Sequence, residues 1–345
     1  MAVVAGSSGS LRRYALTRLA LVIPMVLILL TLVFVLMRVA PGDPIQSALG
    51  GKLSPAQLAE KRHAAGFDKP MIVQYLEYLR QVVTFNFGRA ITDNQPITTI
   101  LRVNGAATLE LTVSALVVAL VIGVPVGLRA GRLRDSAFDG FGRLFGIVTY
   151  AAPVFFVGLI FQLVFSKWLD WLPNSGQLNP IDQAELPSHT HLSVIDAIWD
   201  RNGAAFSDSV KHLIMPALTL GLLLCGVVIR LIRTNIIQTL KGDYVEAARA
   251  RGVPERRVVL RHAFRNALVP VVTVMGLQVA LLLSGAVLTE ETFNWPGIGN
   301  RLVSYLSNRD YVAVQGIITV FALAVVIISV LIDFVNAAID PRVRY

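Results

Sequence analysis

Charged side chains are spaced unevenly along the chain, and the gaps between them give its first outline. Six stretches hold no Asp, Glu, Lys or Arg: 19 residues between Arg18 and Arg38, 18 between Glu110 and Arg129, 23 between Arg143 and Lys167, 18 between Lys211 and Arg230, 24 between Arg265 and Glu290, and 22 between Asp310 and Asp333. The next longest such gap is 11 residues. A charge held at the bilayer centre costs roughly 2.5–3.5 kcal/mol, so a spanning helix shows itself as a window without one. Helices of this length reach roughly 27–36 Å, enough for a hydrocarbon core of about 30 Å. The pattern predicts an all-α, polytopic membrane protein with six transmembrane helices over 19–335, between tails at 1–18 and 336–345.

Two longer polar segments separate the windows on one side, 38–105 and the stretch from Lys167 to Lys211, and the first contains helix-like runs at 55–65 and 70–83. Pro24, Pro125, Pro153, Pro216 and Pro270 fall within windows, where each removes an amide donor and predicts a kink or a helix start.

Composition agrees with the bilayer as solvent: 54% of residues are hydrophobic, 15% are charged, and mean hydropathy is +0.63. The net charge of +9 does not indicate nucleic acid, because the basic residues lie between apolar windows and report orientation. With the N-terminus inside, the inner segments hold 18 basic residues and the longer outer segments 13, which predicts cytoplasmic termini. The apolar stretch after Arg12, Arg13 and Arg18 is longer than a signal h-region and lacks a small-residue cleavage site, so it is expected as a retained first helix. The one cysteine, Cys225, lies in an apolar run, which rules out an intrachain disulfide and predicts a packing role.

Candidate chemistry is sparse. His189 and His191 alternate in an outer segment without a cysteine or a carboxylate at ligand spacing, so they are expected to be solvated rather than metal-bound. Glu110 and Asp333 stand at window edges, unlike the mid-membrane carboxylates of a proton relay. No phosphate loop of the G-x-x-x-x-G-K-[ST] type occurs, since Gly51-Lys52 is followed by Leu53. No catalytic residues, metal site or cofactor are therefore expected, and any ATP with its Mg²⁺ would be bound by other subunits.

The most informative segment is 236–265, between the fourth and fifth windows. Asp243 fits an N-cap with Glu246 three residues on, as in a capping box. Gly252 fits the left-handed position after a helix, and Pro254 and Glu255 the first turn of the next. Alanines at 247, 248 and 250 leave a slim face that another protein can approach, flanked by Arg249, Arg251 and Arg256 as ion-pair donors. On charge alone, a basic interfacial loop explains the segment equally well.

Glu246-Ala247-Ala248, three residues and then Gly252 resemble the EAA loop of binding-protein-dependent ABC importer permeases, and the later Leu268-Val269-Pro270 resembles the dipeptide and oligopeptide branch. Similar matches are Pro41-Gly42-Asp43-Pro44, Ala107-Thr108-Leu109-Glu110-Leu111, Phe293-Asn294-Trp295-Pro296-Gly297-Ile298-Gly299 and Asp340-Pro341-Arg342; Ser329 departs from a frequent Asn. The early Pro-Gly-Asp-Pro and long first outer segment resemble the B-type partner of the heterodimer. The resemblance implies a non-enzymatic permease in a bacterial inner membrane. Its partners would be a C-type permease, two ATP-binding subunits and an extracytoplasmic binding protein. Asp243, Glu246, Ala247, Ala248, Arg251, Gly252 and Arg256 would then couple to the ATPase. Phe293 and Trp295 would line an outer gate or meet the binding protein, or else serve as interfacial aromatic anchors. The polar span residues Thr108, Gln162, Thr273 and Gln278 would line a wet pathway or bond between helices. A secondary transporter or channel acting alone is the competing class, and it would need no ATPase-docking elbow.

Overall fold

The computed structural model describes residues 8–39, 44–48, 54–64 and 66–339. Helices dominate, and among the described residues the one β contact is an isolated bridge between Arg89 and Pro96. In chain order they are α1 (Ser8–Val39), α2 (Pro44–Ala48), α3 (Pro55–Ala64), α4 (Met71–Val83), α5 (Ile97–Arg132), α6 (Ala137–Ala151), α7 (Val154–Phe161), α8 (Pro180–Glu185), α9 (Ser193–Trp199), α10 (Gly203–Thr239), α11 (Asp243–Ala250), α12 (Glu255–Arg257), α13 (Phe264–Thr292), α14 (Ile298–Ser307) and α15 (Tyr311–Ile339). A π-helical segment, Gln162–Trp168, continues α7, and another, Val258–Ala263, joins α12 to α13. The helices expected in the first outer segment appear as α3 and α4. The expected N-terminal tail is helical from Ser8 onward, and α15 continues past residue 335. Pro41, Gly42 and Asp43 and the motif Asp340-Pro341-Arg342 lie outside the described residues.

Helices α1, α5, α10 and α15 are each long and apolar enough to cross a membrane alone, and two bent pairs supply up to two further spans. One of these, α6 with α7 and its π-helical extension, bends by 101° and is not the single rod that the third window predicts. The cause is local. Ala152 precedes Pro153, whose ring drives the preceding residue out of the helical region, and both adopt extended backbone with ψ of 130° and 128°. Pro24, Pro125 and Pro216 instead lie inside continuous helices. At Pro270 the fifth span turns by 42°.

Side-chain contacts sort the chain into two ends. At one end Arg18 pairs with Asp333 at 3.2 Å, and Arg233 clamps Asp139 with two hydrogen bonds, one of 2.7 Å to Oδ2. At the other, Arg38 donates to Gln74 and Gln315, Gln162 reaches Thr292, Trp295 reaches Ala107, and Asp310 reaches Ile91 and Thr92. These contacts take the chain across six times, with the bent pair carrying it from Asp139 at the first end to Gln162 at the second.

The core is the contact between α5 and α10. Ala107, Leu111, Ala115, Ala119, Gly123, Gly127 and Gly131 recur every fourth residue along α5 and form one buried row. Leu220, Leu224, Val228, Ile232 and Ile236 recur at the same interval along α10 and are likewise buried. A Cβ on Gly123 would lie 2.8 Å from that of Val228, one on Gly127 2.9 Å from the Ile229 carbonyl oxygen, and one on Gly131 2.9 Å from the Ile236 Cβ. Small residues on one row thus let the backbones close while the bulky row opposite fills the seam. Of the apolar window in α10, 72% is buried, against 17% in α1 and in α15, so α10 is the hub and those two are peripheral. Cys225 is buried on α10, its carbonyl oxygen 3.4 Å from a Cβ placed on Gly123.

Candidate functional sites at the two ends of the bundle

At the first end the chain leaves α10 and forms an elbow. Gly242, not Asp243, is the N-cap of α11; Asp243 is the first helical residue, and no side chain closes a capping box. Asp243 and Glu246 still lie in the first turn, where negative charge meets the positive end of the helix dipole. Gly252 has φ of +73°, donates to the Arg249 carbonyl at 2.9 Å, and Val253 donates to that of Ala248 at 3.2 Å. This pair of bonds, with Val253 packed near Ala248, is a Schellman stop. Nothing lies within 4 Å of a Cβ placed on Gly252, so the demand there is on the dihedral alone.

Pro254 caps the next helix rather than entering it, and Glu255 begins α12. Arg249 spans the bend with a two-point ion pair to Glu255, at 2.8 and 3.1 Å. That hydrogen bonding holds the Glu255 carboxyl below its ordinary range and the Arg249 guanidinium above it. Arg249 is therefore committed within the chain rather than offered to another. Val245 and Ala248 turn inward against Val258, with Leu240 and Val253 beside them, and this small cluster is what seats α11. Asp243, Glu246, Ala247, Ala250, Arg251, Gly252 and Arg256 are exposed. The small-residue face is thus made of Ala247 and Ala250, while Ala248 anchors the helix.

The other end is built on buried carboxylates. Glu290, at the close of α13, is fully buried; Thr108 donates to its Oε1 at 2.6 Å and the Asn300 amide to its Oε2 at 3.0 Å. The Thr108 hydroxyl in turn accepts from the Ile298 amide at 2.8 Å. Trp295 donates through Nε1 to the Ala107 carbonyl at 2.9 Å, and Asn104 donates to that of Pro296 at 2.7 Å. Gly297 is required by close approach, since a Cβ there would lie 2.2 Å from the Glu290 carboxylate. Gln162 donates to the carbonyls of Asn174 and Thr292, both at 3.0 Å, and so ties the end of α7 to the same loop.

Thr108, Phe293 and Trp295 are therefore interior residues of this chain, with Phe293 and Trp295 at 1% and 0% exposure rather than at an interfacial rim. Gln278 is half-buried on α13. Glu110 accepts from Gln177, Ser193 and the Val194 amide at 2.6, 3.0 and 2.8 Å, and fastens the loop before α8 and the start of α9 to α5. Asp310 accepts from the Ile91 and Thr92 amides at 2.6 and 2.9 Å. Tyr305 donates to Asp93 at 2.8 Å, and burial together with that carboxylate pushes its hydroxyl above the ordinary tyrosine range. His189 pairs with Asp200 at 3.1 Å. In the sequence Glu290 and Asp310 serve only as edges of apolar windows; Thr108, which holds Glu290, is 182 residues away, and Ile91 and Thr92, which hold Asp310, are 219 and 218 away.

Residues 123–345 match the family described as binding-protein-dependent transport system inner membrane component, and residues 11–96 match the N-terminal domain of such components. A di/tripeptide transport system permease protein of Pseudomonas aeruginosa is 39% identical over 329 residues, 95% of this chain and 97% of that protein. A dipeptide transport system permease protein of Escherichia coli is 36% identical over 337 residues, 96% and 99% of the two chains. A glutathione transport system permease protein of Salmonella typhimurium is 33% identical over 332 residues, again 96% and 99%. With its helical bundle, its elbow and these matches over nearly its whole length, the chain belongs to the family of binding-protein-dependent transport system inner membrane components and is a permease subunit.

Proposed function

We propose that this permease carries di- or oligopeptides across a bacterial inner membrane by alternating access, as the B-type half of a heterodimer with a C-type permease. Two ATP-binding subunits supply the energy, and an extracytoplasmic binding protein delivers the cargo. The elbow supports this reading above all. It projects an exposed face of Glu246, Ala247, Ala250 and Arg251, is seated on one small apolar cluster, and runs through α12 and a π-helical joint directly into α13. A push on α11 therefore passes through its packing on Val258 into a helical path that runs from α12 to Glu290 and the loop that packs against α5. The elbow end is the cytoplasmic end in this scheme, in agreement with its excess of basic residues. Phe293 and Trp295 act as the anchors by which the outer loop moves with α13 and α5 as one body. The cargo class follows the relatives' names.

The test is the assembled transporter in lipid, with ATP hydrolysis and peptide uptake measured together. Glu246→Lys reverses the charge at the exposed face, and Gly252→Val forces a β-branched residue into positive φ; each is expected to leave ATP hydrolysis uncoupled from uptake or to prevent ATPase attachment. Wild-type uptake in both variants would refute the coupling role.

A further inference from the structure

A slot of about 310 Å³ opens between α6 and α10 near the elbow end of the bundle. Its floor is backbone, because Gly146 and Gly226 bring the helices together; a Cβ on Gly226 would sit 2.5 Å from the Gly146 carbonyl oxygen. Arg143, Arg230 and Arg233 line it, and the direct ion pair of Asp139 is with Arg233, which leaves the slot a net positive charge. Arg143 and Arg230 are exposed, and among the described residues neither makes an ion pair with a carboxylate, although Arg143 lies within electrostatic reach of Asp139 one turn earlier on α6. Each closes a charge-free window at this end, which puts both at the depth of the lipid headgroups.

We propose that this slot binds the headgroup of an anionic phospholipid, with its phosphate between Arg143 and Arg230. The order of chemistry along the membrane normal carries the assignment. One turn deeper than Arg143, α6 presents Ile147 and then Tyr150, 65% and 60% exposed, and one turn deeper than Arg230 the buried Val227 of α10 forms the back of the slot. Cations at the interface above an apolar wall match an amphiphile whose phosphate leads to an acyl chain. Guanidinium forks suit phosphate oxygens, and the negative surface potential of anionic lipid draws basic groups at this depth. A protein segment would have to bring two carboxylates to the same level and apolar side chains below them.

The test uses the full-length chain co-purified with its partner subunits in nanodiscs that contain phosphatidylglycerol and phosphatidylcholine, with retained lipid read by native mass spectrometry. The double variant Arg143→Gln, Arg230→Gln is expected to lower the preference for phosphatidylglycerol by about tenfold, and Arg143→Lys, Arg230→Lys to keep most of it. An unchanged preference in the glutamine variant overturns the site. A photoreactive side chain at Ile147 gives a second measurement with both arginines intact. Capture of phosphatidylglycerol supports the proposal, whereas capture of another polypeptide, or of cargo peptide, overturns it.

Discussion

Thr108 holds two bonds at once, donating to Glu290 and accepting from the Ile298 amide, and both partners are buried. Thr108→Val keeps the shape but leaves a carboxylate oxygen and an amide short of a partner, at a cost of about 1–3 kcal/mol. Thermal unfolding of the lipid-embedded chain is expected to show that loss in Thr108→Val and little of it in Thr108→Ser; equal melting of Thr108→Val and wild type would remove the anchor from the account. At this scale the sequence tells only that a polar group stands beside an apolar window. Pathway lining and interior anchoring demand the same residue type, and the partner that separates them lies 182 positions away. Cys225 is the contrasting case: a lone thiol in an apolar run has few fates, and it is buried as expected.

Helices meet through rows, and the row on α5 was present in the spacing of Gly123, Gly127 and Gly131 as much as in the structure. Charge-free windows locate spans without using that spacing, so they do not reveal the central contact although its signal is local. Gly127→Leu places a side chain against the Ile229 carbonyl and is expected to part α5 from α10, abolishing accumulation of the folded chain or lowering its melting temperature by many degrees. Gly142→Ala, with 3.3 Å to the nearest Cβ, is the matched control and is expected to be mild. Folded Gly127→Leu protein with wild-type stability would mean that the rows do not carry the bundle. The elbow was legible because its signals are also local: the left-handed glycine, the proline and the acidic first turn each act within a few residues. What slipped there is one position at each cap, Gly242 for Asp243 and Pro254 as cap rather than first-turn residue. Because Gly252 is demanded by φ and not by space, Gly252→Asn is expected to retain coupling where Gly252→Val loses it, with uptake as the measure.

For the whole molecule, the membrane's intolerance of charge makes the number of crossings readable from composition, whereas the shape of a crossing is not. The 101° break shows why: Ala152-Pro153 ends α6, but only the contacts of Asp139 with Arg233 and of Gln162 with Thr292 show that the broken helix still joins the two ends. The parallel course of α5 and α10 requires such a return, since both run from the carboxylate-rich end toward the elbow. This arrangement makes a sided prediction. Cys225 is fully buried, so an impermeant maleimide reports only on cysteines introduced elsewhere. Ala250→Cys on the exposed face of α11 is expected to react only after the inner membrane is opened, and Ala184→Cys on α8 to react in cells whose outer membrane alone is permeabilised. Reaction of both from one side would break the six-crossing path. A reversed pattern would put the elbow outside, beyond the reach of any ATP-hydrolysing subunit, and with it the route by which α13 receives a push.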